Sequence, residues 1–225
     1  MAGGKVPRTG RLKLLSYLHS KADKNCEGDL SLWEETGIVF LGERGLEDLS
    51  FASDLFACLP CLSELDLSFN QISTLGTFDP ATFPASLLRL FLCGNQIDDA
   101  FTSCMSDFSQ LHLLEELDLG SNAIVGVSHL RFPCALRILN LSENAIVDVS
   151  SLVLPESLES LNLRRNSITE VSRLVLPHQL SQLQLASNIV SDAATLMVLP
   201  EGCSTDPPDS WNRENSSIPR FYTAM

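Results

Sequence analysis

Beyond residue 24 this sequence contains no lysine. All four lysines (Lys5, Lys13, Lys21, Lys24) fall in the first 24 residues with Arg8, Arg11 and a single acid, Asp23, whereas the rest of the chain carries 9 arginines against 27 acidic residues. A basic head thus precedes a strongly acidic body. The formal charge of -13 creates a field that repels a polyphosphate backbone and disfavours nucleic acid as a partner. Long apolar runs are missing too: no window approaches the ~20 residues of a membrane span, and the N-terminus lacks the apolar stretch of a secretory leader. The expectation is a cytoplasmic chain with no membrane span.

Catalytic signatures are equally scarce. There is no glycine-rich phosphate loop, no Gly-x-Ser-x-Gly and no His-Glu-x-x-His, and the four histidines (His19, His112, His129, His178) are scattered. Carboxylates are many, but on a regular open sheet nothing is expected to desolvate them and shift a pKa. Seven cysteines at irregular spacings, without a leader, read as reduced thiols packed as small hydrophobes. Cys58-Leu59-Pro60-Cys61 has the look of half a zinc site or a redox pair, but a tetrahedral site needs two more ligands and no second pair of suitable spacing exists. We expect no enzyme activity, no metal and no cofactor.

What is present is apolar side chain in quantity, 44% of the residues, arranged in a repeat. The pattern Leu-x-x-Leu-x-Leu-x-x-Asn-x-hydrophobic occurs six times: LSELDLSFNQI (62–72), LLRLFLCGNQI (87–97), LEELDLGSNAI (114–124), LRILNLSENAI (136–146), LESLNLRRNSI (158–168) and LSQLQLASNIV (180–190). The asparagines Asn70, Asn95, Asn122, Asn144, Asn166 and Asn188 are 25, 27, 22, 22 and 22 residues apart. Pairs such as Leu65 and Leu67, or Leu139 and Leu141, alternate with polar residues at the period of a strand, so one face is core and the other open. Ile72 and Leu75, Ile124 and Val127, Ile146 and Val149, and Ile168 and Val171 turn inward after the bend. One coil cannot bury these residues alone, so stability must come from stacking. The asparagine sits where the chain leaves the strand, and its amide offers the bend both a donor and an acceptor. That ladder is read as structural.

The segments between strands change along the chain. Residues 98–113 are long enough for a short helix, with Phe101, Met105, Phe108 and Leu111 at helical spacing. The later segments VSHLRFPCA (127–135), VSSLVLPES (149–157) and VSRLVLPHQ (171–179) place Pro133, Pro155 and Pro177 just before the strands, which predicts extended or single-turn structure there. Upstream, GIVFLGERGLEDL (37–49) reads as a degenerate first repeat with Arg44 at the asparagine position. Residues 1–36 are expected to form a basic N-terminal segment with a capping helix that turns either Leu12, Leu15 and Leu18 or Leu14, Tyr17 and Leu18 inward, and Trp33 is available to cover the exposed core. Residues 37–200 form the solenoid, one degenerate plus six regular repeats. Residues 201–225 lack alternating leucines, although Pro200 should announce a strand three residues later at Cys203, and they are expected to form an irregular or disordered tail. Either this tail folds back through Trp211, Phe221 and Tyr222, or the chain is a shortened or alternative form of a longer protein.

Strings such as LRILNLSENAIVDV and LESLNLRRNSITEV resemble the leucine-rich-repeat superfamily, in particular its 22-residue intracellular subclass, over about residues 38–199. The resemblance implies an α/β solenoid: a right-handed superhelix with a concave parallel β-sheet and mostly short or irregular convex segments. It further implies a non-enzymatic scaffold or adaptor that binds a protein partner on the concave sheet, acting as a monomer or within a larger complex. A regulatory or targeting subunit of a phosphatase-like enzyme, and a structural component of a ciliary or cytoskeletal assembly, are the alternatives. The subclass's usual closing segment, an Asn-Pro turn, short helix and Leu-Asp-Gly, does not occur in this sequence.

The concave face should present the polar members of each strand. Phe91 is an aromatic where the template prefers a polar group, flanked by Asp66 and Asp118 on adjacent strands, while Arg164 and Arg165 make a positive island in the acidic body. Exposed aromatics and arginines are favoured interface anchors. The candidate partner-binding residues are Asp66, Arg89, Phe91, Asp118, Asn140, Asn162, Arg164 and Gln184. The plainer reading makes Phe91 an isolated surface ring and lets Arg164 offset Glu143 and Glu159.

Overall fold

In the computed structural model, residues 32–74, 76, 82–104, 108–190 and 202–206 are described. Eight three-residue strands form one parallel sheet in simple sequence order: β1 Ile38–Phe40, β2 Glu64–Asp66, β3 Arg89–Phe91, β4 Glu116–Asp118, β5 Ile138–Asn140, β6 Ser160–Asn162, β7 Gln182–Gln184 and β8 Ser204–Asp206. The register is the same from one strand to the next, so Val39, Leu65, Leu90, Leu117, Leu139, Leu161 and Leu183 line up across it. All seven are buried, at no more than 2% exposure. Parallel neighbours require a crossover, and each coil supplies one of about 20 residues rather than a full βαβ helix.

The leucine three residues before each asparagine and the hydrophobic residue two after it complete the filling. Leu67, Leu92, Leu119, Leu141, Leu163 and Leu185, with Ile72, Ile97, Ile124, Ile146, Ile168 and Val190, are at most 1% exposed and belong to a single core that runs the length of the stack. Trp33, in the helical residues 32–36, is 4% exposed and joins this core at its first coil. The capping helix expected around Leu12–Leu18, and Leu75, lie outside the described residues.

Opposite the sheet the chain is irregular where the prolines predicted it. The amides of Leu130, Leu152 and Leu174 donate to the carbonyls of Val127, Val149 and Val171, and those of Leu136, Leu158 and Leu180 to Pro133, Pro155 and Pro177, which makes two tight turns per coil and no helix. The longer segments do form helices. The first, α1 at Ala52–Cys58, was missed in the sequence because its apolar residues Phe51, Leu55, Phe56 and Leu59 follow directly on the degenerate repeat and blur its period. The second, α2 at Asp99–Cys104, occupies part of the stretch expected to be helical; Phe101, Phe108 and Leu111 are buried there, while Met105 lies outside the described residues. Asp99 ties α2 to the next coil by accepting from the amides of Val125 (2.8 Å) and Gly126 (3.0 Å).

One correction concerns the expected irregular tail at 201–225. Residues 204–206 add an eighth strand, with the amide of Ser204 donating to Ser181 at 2.8 Å. A parallel ladder needs backbone donors and acceptors rather than leucines: Thr205 stands in register with Leu183, and Cys203, 8% exposed, joins the core just before the strand. The expected use of Trp211, Phe221 and Tyr222 lies outside the described residues.

Candidate protein-binding face

The asparagine ladder is what lets one sheet face stay open. Each amide works in two coils at once. Asn144 Nδ2 donates to Leu141 and Ser142 in its own coil and to Leu119 in the coil before, while its Oδ1 accepts from the Ile124 amide at 3.0 Å. Asn95, Asn122, Asn166 and Asn188 repeat this with Ile72, Ile97, Ile146 and Ile168 as donors. Asn70 reaches back to the amides of Arg44 and Leu46 and the carbonyl of Leu41. The amide thus binds backwards, and the first described coil carries Arg44 at its own asparagine position.

Just before every asparagine the backbone turns left-handed, at Phe69 (φ 55°), Gly94 (65°), Ser121 (52°), Glu143 (55°), Arg165 (52°) and Ser187 (58°), with Glu43 (58°) ahead of Arg44. Only one of these is glycine, and sequence reading missed the conformation because the template tolerates almost any residue there. Gly94 has a particular reason: a Cβ would stand 2.5 Å from the Phe69 ring, which lies over it.

On the open face two rows of side chains run across the strands. The row through Ile38, Glu64, Arg89, Glu116, Ile138, Ser160 and Gln182 is the first, and that through Phe40, Asp66, Phe91, Asp118, Asn140, Asn162 and Gln184 the second, as the strand register dictates. The eight candidate residues therefore fall on one face, seven in these rows and Arg164 at the end of β6. Seven strands present their side chains in parallel, but the chemistry is not uniform along them.

The second row is partly committed to local structure. Asp66 Oδ1 accepts from the Ser68 amide (2.8 Å), Asp118 Oδ1 from the Gly120 amide (2.8 Å), Asn140 Oδ1 from the Ser142 amide (3.0 Å) and Asn162 Oδ1 from the Arg164 amide (3.1 Å). Carboxylate and amide thus cap the same turn interchangeably. Asn140 Nδ2 also donates to Asp118 at 2.9 Å. In the first row Arg89 pairs with Glu64 at 2.6 Å. Glu116, on its other side, is pushed above the ordinary glutamate value, chiefly by desolvation, against the pull of Arg89 and with Asp118 and Glu64 adding repulsion. This corrects the expectation that the open sheet desolvates no carboxylate: side chains on adjacent strands stand close enough to shield one another. The Cys93 thiol is raised by burial and by Asp118 and Asp66, against a hydrogen bond with Ser68.

Beside Arg164, Glu143 pairs with Arg165 at 2.7 Å and Glu159 with Arg137 at 2.8 Å. Phe91 is not the sole aromatic here, since Phe40 is 58% and Phe69 62% exposed in the two coils before it. Phe40 lies in the degenerate repeat and Phe69 at the turn, two places where the template gave no reason to look. Among the described residues no group of His, Cys, Asp and Glu is assembled that could hold a metal, and no helix is long and apolar enough to cross a membrane. Cys58 is buried and Cys61 exposed.

Residues 58–76 match the Leucine Rich repeat family, and no curated protein matches the chain. Among solved structures the fold is similar to an internalin (inlF) of Listeria monocytogenes, with a TM-score of 0.60 at 23% identity over 84% of this chain and 51% of that one. It is similar also to YopM of Yersinia enterocolitica, with a TM-score of 0.59 at 20% identity over 88% of this chain and 45% of that one, and to internalin C2 of Listeria monocytogenes, with 0.54 at 21% over 86% and 91%. The chain thus spans about half the length of the first and second of these. The fold is a leucine-rich-repeat solenoid.

Proposed function

We propose that the protein is a non-enzymatic scaffold that holds a segment of another protein across the open face of its sheet. The observation that carries this reading is the division of labour in each coil: leucines and the asparagine amide satisfy core and backbone, leaving a run of outward side chains on seven strands, with Phe40 and Phe91 among them and Phe69 at the turn after β2. Burying exposed rings is a strong reason for a protein surface to seek a partner. A solenoid also offers a long surface without needing a cavity.

The reading places the chain in a reducing compartment, supported by six cysteines among the described residues that form no disulfide; quantification of free thiols in the native protein checks this, and mostly oxidised cysteines would reverse it. The binding role is tested by affinity purification with mass spectrometry, comparing wild type with Phe91→Ala combined with Arg164→Glu. Partners that depend on the open face are expected to fall at least about tenfold, the scale of losing an interface anchor. Affinities unchanged by the pair would remove these residues from the interface.

A further inference from the structure

The open face is divided along its length. Its aromatics, Phe40, Phe69 and Phe91, and the acids of its rows, Glu64, Asp66, Glu116 and Asp118, all lie on the coils of β1 to β4, while β5 to β7 carry Ile138, Ser160 and amides. In the second row aromatic and carboxylate alternate strand by strand: Phe40, Asp66, Phe91, Asp118. From this alternation we propose that the N-terminal half of the face binds a basic segment of a partner protein, with an arginine or lysine side chain entering between Phe40 and Phe91 above Asp66.

The inference rests on the reading of the open face as a protein-binding surface, and it names the chemistry of what binds. Phe40 and Phe91 are two strands apart, about 10 Å at the backbone, so a cation midway is within the ~6 Å reach of both rings. Asp66 stands between them. Its Oδ1 is taken by the Ser68 amide, and among the described residues no donor is recorded at the other oxygen. The same holds for Asp118, whose Oδ1 serves Gly120 and Asn140. Arg89, the cation already in the neighbourhood, is engaged by Glu64 at 2.6 Å. Phe69, at the turn after β2, adds a third ring to this part of the face with 62% of its surface in water. The choice of a basic occupant over an acidic one follows from charge: beyond residue 24 the chain carries 27 acids and 9 arginines, a field that steers cations in and repels anions.

A displayed library of random peptides about 12 residues long, roughly 40 Å when extended and so comparable to the width of eight strands, supplies the probe. It is selected against the full chain, and enriched peptides are then synthesised and titrated. Asp66→Asn with Asp118→Asn removes charge while keeping the turn acceptor, as Asn140 and Asn162 show in later coils. Phe40→Ala removes a ring that is largely in water, so it leaves the core in place. Enriched peptides are expected to carry arginine or lysine beside an apolar residue, to bind more weakly as salt rises, and to lose about tenfold or more in affinity with either variant. Enrichment of neutral or acidic peptides on the same face would overturn this inference and leave the scaffold reading standing. Basic peptides that bind the Asp66→Asn, Asp118→Asn chain as tightly as wild type would overturn it too. No enriched peptide, or binding indifferent to every open-face substitution, would overturn both.

Discussion

Asn166 shows how much can hang on one side chain. It is 7% exposed, accepts from the Ile146 amide and donates to the carbonyls of Leu141 and Leu163, which accept also from Asn144 and Asn188, so it joins two coils and partners the Ile146 amide at the bend. Asn166→Leu keeps the volume and strands that amide. The expected cost is about 1–3 kcal/mol, read from denaturant unfolding. The residue before each asparagine offers the opposite opportunity. Ser121 sits at φ 52°, where most L-residues are strained, and its hydroxyl donates to Glu143 at 2.9 Å. Asparagine tolerates that conformation and retains a donor, so Ser121→Asn is expected to stabilise the chain by up to about 1 kcal/mol. A lower midpoint in the same unfolding experiment would mean that the turn is not strained.

At the scale of the strand, neighbouring coils interact through titratable side chains, and the signs differ from row to row. Glu116 has a folded pKa above the ordinary glutamate value. In the window between the two values the folded chain keeps a proton that the unfolded chain has released, so stability falls as pH rises through it. Glu116→Gln is expected to raise the unfolding midpoint at pH 7, by about 0.5 kcal/mol at most given solvent screening, and to make no difference well below the ordinary value. Glu143 and Glu159 run the other way: Ser121 and Arg165 hold the first, and Arg137 the second, below the ordinary value. Their contribution is present above that value and disappears as pH falls through the lowered one. Thermal unfolding of wild type and of Glu143→Gln with Glu159→Gln, followed from pH 7 into acid, should therefore converge at low pH.

The strands themselves were legible in the sequence, since a leucine pair around one residue, as in Leu139 and Leu141, has only one face to hide. The prolines at 133, 155 and 177 likewise announced their turns. Two things were not legible. The strand at Ser204–Asp206 is held by backbone pairing to β7, which leaves no side-chain period to read. Phe40 and Phe69 gain their meaning only from residues 26 and 25 positions away, Asp66, which stands in register with Phe40, and Gly94, over which the Phe69 ring lies.

For the molecule as a whole, stacking implies that stability is a sum of coil and interface terms, with the first and last described coils weakest because among the described residues each has one neighbour instead of two. Hydrogen exchange should then be slowest in β4, β5 and β6 and faster towards β1 and β7. Trp33 bears on the N-terminal end, where it is 4% exposed against the first coil. Trp33→Ala opens a large cavity there, with a loss of about 3–5 kcal/mol if the stack unfolds as one unit. Two outcomes separate one-dimensional from global cooperativity. If each coil responds mainly to its neighbours, the variant accelerates exchange in β1 and β2 and leaves β6 and β7 as in wild type. Uniform acceleration across all strands would show instead that the continuous leucine core couples the ends, and a substitution anywhere on the solenoid would then be felt at the acidic, aromatic half of its face.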